Sequence, residues 1–92
     1  MDVYAQIVIK IIQAQEAIIG PVAVEQAQHI PNLTLDWPHH TVTVTGDQVK
    51  VVSNLVEVYK ELFGQISVEV SKESVAALAS QLLPHQIPES LK

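Results

Sequence analysis

Cysteine is absent from the 92 residues of this chain, which excludes a disulfide framework, a thiolate zinc site and a cysteine nucleophile. Positive charge is also scarce, because lysine and arginine number five against ten aspartates and glutamates, for a formal net charge of −5. Nucleic acids and anionic membranes bind clustered cations, so this balance argues against both as partners. The sequence also lacks a phosphate-binding loop, a dinucleotide fingerprint and a Gly-x-Ser-x-Gly elbow. We therefore expect no catalytic residue and no cofactor, and predict that the chain is not an enzyme.

Charged residues of both signs make up only 16% of the chain, while hydrophobic residues reach 48%. A domain of this length buries roughly 60–65% of its unfolded surface, enough for a two-layer core. With so few charges, it either has an unusually complete core or covers an apolar face with another chain. The apolar run 3–19 has no basic segment before it and is interrupted by polar residues, so it predicts neither a signal peptide nor a membrane span. The expected location is the cytoplasm.

The main feature that the sequence does contain is a duplication. Segments 5–28 and 49–72 keep one apolar register without a gap at an offset of 44 positions. An internal repeat of this kind indicates one structural unit that occurs twice. The identical pairs are Val8 and Val52, Gly20 and Gly64, Val24 and Val68, and Glu25 and Glu69, and the pairs of like character include Ile18 with Leu62 and Val22 with Ile66.

Two long helices are predicted at equivalent places in the repeats. Residues 48–63 place their apolar side chains on one half of a helical wheel, and Asp47 is a suitable N-cap. Residues 3–19 include a run that also suits a buried strand. The repeat assigns them to a second helix, for which Asp2 is the predicted N-cap.

A shorter helix is predicted after each of the two glycines that end these long helices. The first spans 21–29, since Pro31 disfavours an α conformation at the residue before it. The second begins at residue 65, and a break near Ser71 or Ser74 leaves open whether 65–83 forms one helix or two. Both glycines are predicted structural caps with left-handed φ, namely Gly20 and Gly64.

Between the repeats, apolar residues alternate with polar ones, mostly threonines, on both sides of Pro38. This period of two predicts a β-hairpin over 33–45. Residues 1–83 are expected to form a single domain, and 84–92 a flexible C-terminal tail. The predicted fold is α+β, mainly α, with two helix–Gly–helix repeats flanking a central hairpin.

Histidines and glutamates are the candidate ligand residues. His39 and His40 are adjacent, and His29 ends a helix that the chain brings near them, so the three are candidate metal ligands. Glu25 and Glu69 occupy the same repeat position and could share a proton or a cation. The structural interpretation, polar turn residues and carboxylates near helix N-termini, is favoured for both sets. We therefore predict no metal site.

Residues 55–75, with a weaker copy at 11–28, resemble small uncharacterised cyanobacterial proteins. The Ile-Gly-Pro-x-Ala form at 19–23 also resembles helical modules appended to bacterial signalling proteins. This resemblance implies a helical regulatory or assembly module without a known activity. The second copy departs from the pattern, because Gln65 stands where the proline is expected.

The function predicted from the sequence is a non-catalytic protein-interaction or assembly module that acts as a homodimer. The helix at 3–19 has a wider apolar face than a surface helix of a small domain needs, so this face or the hairpin edge is the expected interface. The candidate interface residues are Tyr4, Ile7, Ile11 and Trp37. The alternative is a small-ligand or metal-binding regulator that uses the three histidines or the paired glutamates.

Overall fold

The structure, a computed structural model, describes residues 3–88 and 91. It contains a two-stranded antiparallel hairpin between two pairs of helices, which confirms the predicted α+β, mainly α, class. Two short 3₁₀ turns, at Trp37–His39 and Pro84–Gln86, complete the described elements. The helices and strands are α1 (Val3–Ile19), α2 (Val22–Ala27), β1 (Leu33–Asp36), β2 (Thr41–Val44), α3 (Gln48–Phe63) and α4 (Gln65–Ala79).

Helix α1 lies at the centre of the fold, where it packs against α2, α3, α4 and β2. Four aliphatic residues of α1 are almost completely buried. The wide apolar face of this helix is therefore part of the protein core. The long helix predicted for 3–19 is therefore present, and its predicted N-cap, Asp2, lies outside the described residues. At the start of α3, the Asp47 carboxylate accepts a hydrogen bond of 3.1 Å from the Lys50 backbone N–H. The four buried residues of α1 are Ile7, Val8, Ile11 and Ile12.

Each long helix ends at a glycine with positive φ. Gly20 has a φ of +75° and its N–H donates to the Glu16 carbonyl at 2.9 Å. Gly64 has a φ of +84° and its N–H donates to the Lys60 carbonyl at 2.8 Å. The chain reverses at both glycines, so that α2 packs on α1 and α4 packs on α3. We call these two reversals the glycine corners.

Helix α4 is continuous from Gln65 to Ala79, which answers whether this segment holds one helix or two. Ser71 and Ser74 do not start a new helix. Their hydroxyls donate to backbone carbonyls of the same helix, Ser71 to Ser67 at 2.9 Å and Ser74 to Ser71 at 2.8 Å. A serine that bonds the preceding turn in this way is compatible with an uninterrupted helix.

The hairpin falls within the predicted range. Leu33 pairs with Val44 and Leu35 with Val42, while the intervening threonines face solvent. Of the inward residues, Leu33 and Val42 are buried, because the hairpin leans on α1 through β2. An isolated two-stranded hairpin is marginal in water, so this contact with a helix accounts for its stability.

The C-terminal segment departs from the flexible tail predicted over 84–92. The Tyr4 hydroxyl donates to the Gln86 carbonyl at 2.9 Å, which attaches the second 3₁₀ turn to the start of α1. Leu91 is 7% exposed and belongs to the core cluster. The correction has a physical reason: Leu91 is part of the hydrophobic core cluster and Ile87 packs against it, so burial of these side chains holds the segment on the helices. Residues 89, 90 and 92 lie outside the described part of the chain.

Burial follows the same 44-residue offset as the sequence. Apart from Ala5, every buried residue of α1 and α2 corresponds to a buried residue of α3 or α4, even where the residue types differ. The superposition of the two repeats stays a prediction, and this correspondence is what supports it. The matched pairs are Ile7 and Val51, Val8 and Val52, Ile11 and Leu55, Ile12 and Val56, Gln15 and Tyr59, Ala23 and Ser67, and Ala27 and Ser71.

Candidate functional site

Two reciprocal hydrogen bonds bring the glycine corners to the same end of the molecule. The Gln15 side-chain amide, one turn before the end of α1, donates to the Ser67 carbonyl in the first turn of α4 at 2.9 Å. The Tyr59 hydroxyl, one turn before the end of α3, donates to the Ala23 carbonyl in the first turn of α2 at 2.6 Å. Donors and acceptors are both related by the 44-residue offset. A side chain of each repeat therefore fixes the first turn of the second helix in the other repeat, next to its glycine corner.

Four large aliphatic side chains are exposed at these corners, two at each. Ile18 and Val22 flank the first glycine and are 63% and 39% exposed. Leu62 and Ile66 flank the second and are 52% and 72% exposed. Within the residues that the structure describes, only Leu83 is a further exposed large hydrophobic residue, and it follows the far end of α4. We call Ile18, Val22, Leu62 and Ile66 the glycine-corner patch.

The predicted glutamate pair flanks this patch. Glu25 lies three residues after Val22 on α2, and Glu69 lies three residues after Ile66 on α4, so each shares a helix face with a patch residue. Both glutamates are exposed. Within residues 3–88 and 91 no hydrogen bond joins one to the other, and Glu69 instead accepts from Gln65 at 3.2 Å. That they share a proton or a cation stays a prediction.

Polar groups beneath the corners are buried and hydrogen-bonded. Gln15 is 1% exposed, and its amide also lies 3.2 Å from the Ser71 hydroxyl, with Nε2 as donor. Burial, and after it the negative charge of Glu16, raises the pKa of the Tyr59 hydroxyl above its ordinary value. These groups join helices of different repeats and are not open to solvent. Their role in the described structure is to position the corners.

The residues predicted to form the interface are elsewhere. Ile7 and Ile11 are 1% and 0% exposed, so the expected interface on α1 is wrong for these two: four neighbouring elements already cover them. Tyr4 is half-buried and bonds Gln86. Trp37 is half-buried too, and its indole N–H donates to a Glu16 carboxylate oxygen at 3.1 Å, which anchors the hairpin turn to α1.

The three candidate metal ligands are exposed and are not arranged around a common point. His39 Nδ1 lies 2.9 Å from the Asp36 carboxylate. The ring of His40, which has a φ of +51°, lies edge-on to Trp37 with centroids 4.8 Å apart. His29 follows α2. Among the described residues, no three histidine, aspartate or glutamate side chains come together as a metal site.

An open cleft of about 250 Å³ lies between the loop that joins α2 to β1 and the start of α3. None of the candidate ligand residues lines it. Its walls contain both polar and apolar side chains, and the carboxylate of Asp47 is engaged as the N-cap of α3. The lining residues are Pro31, Asn32, Asp47, Lys50, Val51 and Asn54.

Comparison with protein families, with curated proteins and with solved structures found no match to this chain. The resemblance to cyanobacterial proteins and signalling modules therefore stays a prediction. None of the described helices has the length and hydropathy needed to cross a bilayer.

Sequence reasoning did not identify the patch, although a signal for it exists. Its four residues match in kind at the 44-residue offset, two positions before and two after each glycine. A matched apolar residue is ordinarily interpreted as core. Residues 19 and 63 pack against the core while 18 and 62 are exposed. Which face of the last helical turn is covered depends on tertiary contacts.

Proposed function

We propose that the protein is a non-catalytic interaction module that assembles as a homodimer through the glycine-corner patch. The single observation that carries the proposal is the exposure of four large aliphatic residues at equivalent positions of two corners at one end of the molecule. Clustered exposed hydrophobic residues of this kind usually mark a contact surface.

The area of the patch suits a modest dimer. Four aliphatic side chains at these exposures present on the order of 400 Å² of apolar surface, about half of the roughly 800 Å² that each partner buries in a standard interface. Covering the patches of two copies removes twice that area from water, which corresponds to about 20 kcal/mol at 25 cal/mol per Å². Association itself costs about 4–15 kcal/mol. The difference is about 5–16 kcal/mol in favour of association, and we expect a dissociation constant toward its weak end, in the micromolar range, which corresponds to about 8 kcal/mol.

A second copy is the occupant that the arrangement favours. The patch consists of two like halves, so it offers the same chemistry to either half of an identical patch. Closed twofold dimers are also the commonest homo-oligomers, and they use one surface on both subunits.

Sedimentation equilibrium at about 50 μM protein tests this proposal. We expect the wild-type chain to be largely dimeric, and the double variant Ile18→Asn with Ile66→Asn to weaken dimerisation at least about tenfold, since central apolar contacts dominate interface energies. Leu83→Asn is the matched control, because Leu83 is 59% exposed and lies outside the patch. A wild-type monomer of 10.1 kDa, or equal weakening by the control, would refute the proposal.

A further inference from the structure

We infer that Glu25 and Glu69 form a carboxylate rim on the glycine-corner patch and make self-association of this chain dependent on ionic strength. This inference rests on the proposed function. It assigns a role to the identical glutamate pair of the repeats, which neither the core nor a metal site uses.

The position of each glutamate follows from helix geometry. Residues three apart on a helix are neighbours on one face, and Glu25 stands in this relation to Val22, as Glu69 does to Ile66. Two copies that meet at their patches bring four carboxylates to one rim. Like charges that are exposed repel one another over about a Debye length, which is roughly 10 Å at 0.1 M salt.

Other charges near the patch do not cancel this rim. Lys60 and Glu61 precede Leu62 and offset each other in sign. Glu16 precedes Ile18, but its carboxylate is turned to the Trp37 indole. The carboxylates that share a helix face with the patch residues of the second helices are therefore those of Glu25 and Glu69.

The two glutamates differ in how far they are compensated. Glu69 accepts a hydrogen bond of 3.2 Å from Gln65 and lies 3.8 Å from the Lys72 ammonium. The residue equivalent to Lys72 in the first repeat is Gln28, and no hydrogen bond or ion pair to the Glu25 side chain occurs within residues 3–88 and 91. The repulsion should therefore come more from Glu25 than from Glu69.

The test is sedimentation equilibrium of the full chain at about 50 and about 500 mM sodium chloride. We expect the dimer dissociation constant of the wild type to fall about three- to tenfold at the higher salt concentration, as screening removes the repulsion. The double variant Glu25→Gln with Glu69→Gln should dimerise about three- to tenfold more tightly at low salt and lose most of the salt response. Of the single variants, Glu25→Gln should have the larger effect.

The matched control is the double variant Glu57→Gln with Glu73→Gln. It changes the net charge by the same amount, but both residues are exposed and lie about two helical turns from Gly64. Urea unfolding of each variant shows whether the substitutions change the free energy of unfolding of the monomer in addition to the affinity of the dimer. If the dimer dissociation constant does not change with salt, or if the control variant behaves as the rim variant does, the inference is wrong but the proposed function stands. A monomer at both salt concentrations overturns the proposed function as well.

Discussion

At the scale of the residue, Tyr59 shows how one side chain joins the two repeats. Its ring is completely buried, and its hydroxyl donates to the Ala23 carbonyl across the repeat boundary. Its equivalent in the first repeat, Gln15, performs the same task with an amide. The two residue types have little in common in sequence, but both are long enough to carry a donor to a backbone carbonyl.

We predict that Tyr59→Phe lowers the free energy of unfolding by about 1–2 kcal/mol at pH 7, because the Ala23 carbonyl loses a buried donor. The folded-state pKa of Tyr59 is raised. The stability from its neutral hydroxyl is therefore complete below about pH 10, the unfolded value, and is lost as the pH rises further. Urea unfolding between pH 7 and 11 should show a smaller alkaline loss in Tyr59→Phe than in the wild type or in Tyr4→Phe. An unchanged alkaline loss would contradict this assignment.

At the scale of the element, the glycine corners determine which residues become surface. The chain must reverse within two residues after each long helix, and both glycines do so with positive φ. Gly64 combines a φ of +84° with a ψ of −173°, a region that essentially only glycine occupies. A Cβ atom at Gly20 or Gly64 would meet nothing within 4 Å beyond its chain neighbours, so the backbone and not packing space demands glycine there.

Alanine at these corners should therefore destabilise by strain alone. We expect Gly20→Ala to cost about 1 kcal/mol and Gly64→Ala about 2–3 kcal/mol in the free energy of unfolding. Urea titrations followed by circular dichroism measure both values. Equal costs at the two positions would show that the ψ angle of Gly64 has no energetic consequence.

At the scale of the whole molecule, the two halves share one core. Helix α1 packs against α4 of the other repeat, and α3 packs against α2. The buried positions correspond at the 44-residue offset throughout α1 and α3 apart from Ala5. Neither half has a closed core without the other.

Equivalent core truncations should consequently have similar effects. Ile11→Ala and Leu55→Ala each remove a side chain that is 0% exposed, and we expect each to cost about 2–5 kcal/mol in the free energy of unfolding. The control Leu83→Ala removes a side chain that is 59% exposed and lies outside the glycine-corner patch, and it should cost less than about 0.5 kcal/mol. Chemical denaturation of the three variants compares them. If Ile11→Ala were tolerated while Leu55→Ala unfolded the protein, the equivalence of the two halves would be wrong.

The helices, the hairpin and the positions of the glycine corners follow from the amino-acid sequence alone. They depend on local information: apolar spacing of 3.6 or 2, an aspartate cap, and glycines that end both long helices. Residues 3–19 show how the repeat supplies what local spacing does not, since their apolar run alone also suits a strand. The glutamate pair and the matched apolar residues beside each glycine are likewise evident in the sequence.

Which apolar residues are core and which are surface depends instead on the tertiary contacts. Ile11 and Ile18 are the same residue type on one helix, yet one is fully buried and the other 63% exposed. The difference arises because β2, α3 and α4 cover the middle of α1, whereas its last turn reaches the end of the molecule. Burial depends on neighbours that are distant in sequence, and the apolar pattern along one helix does not identify those neighbours.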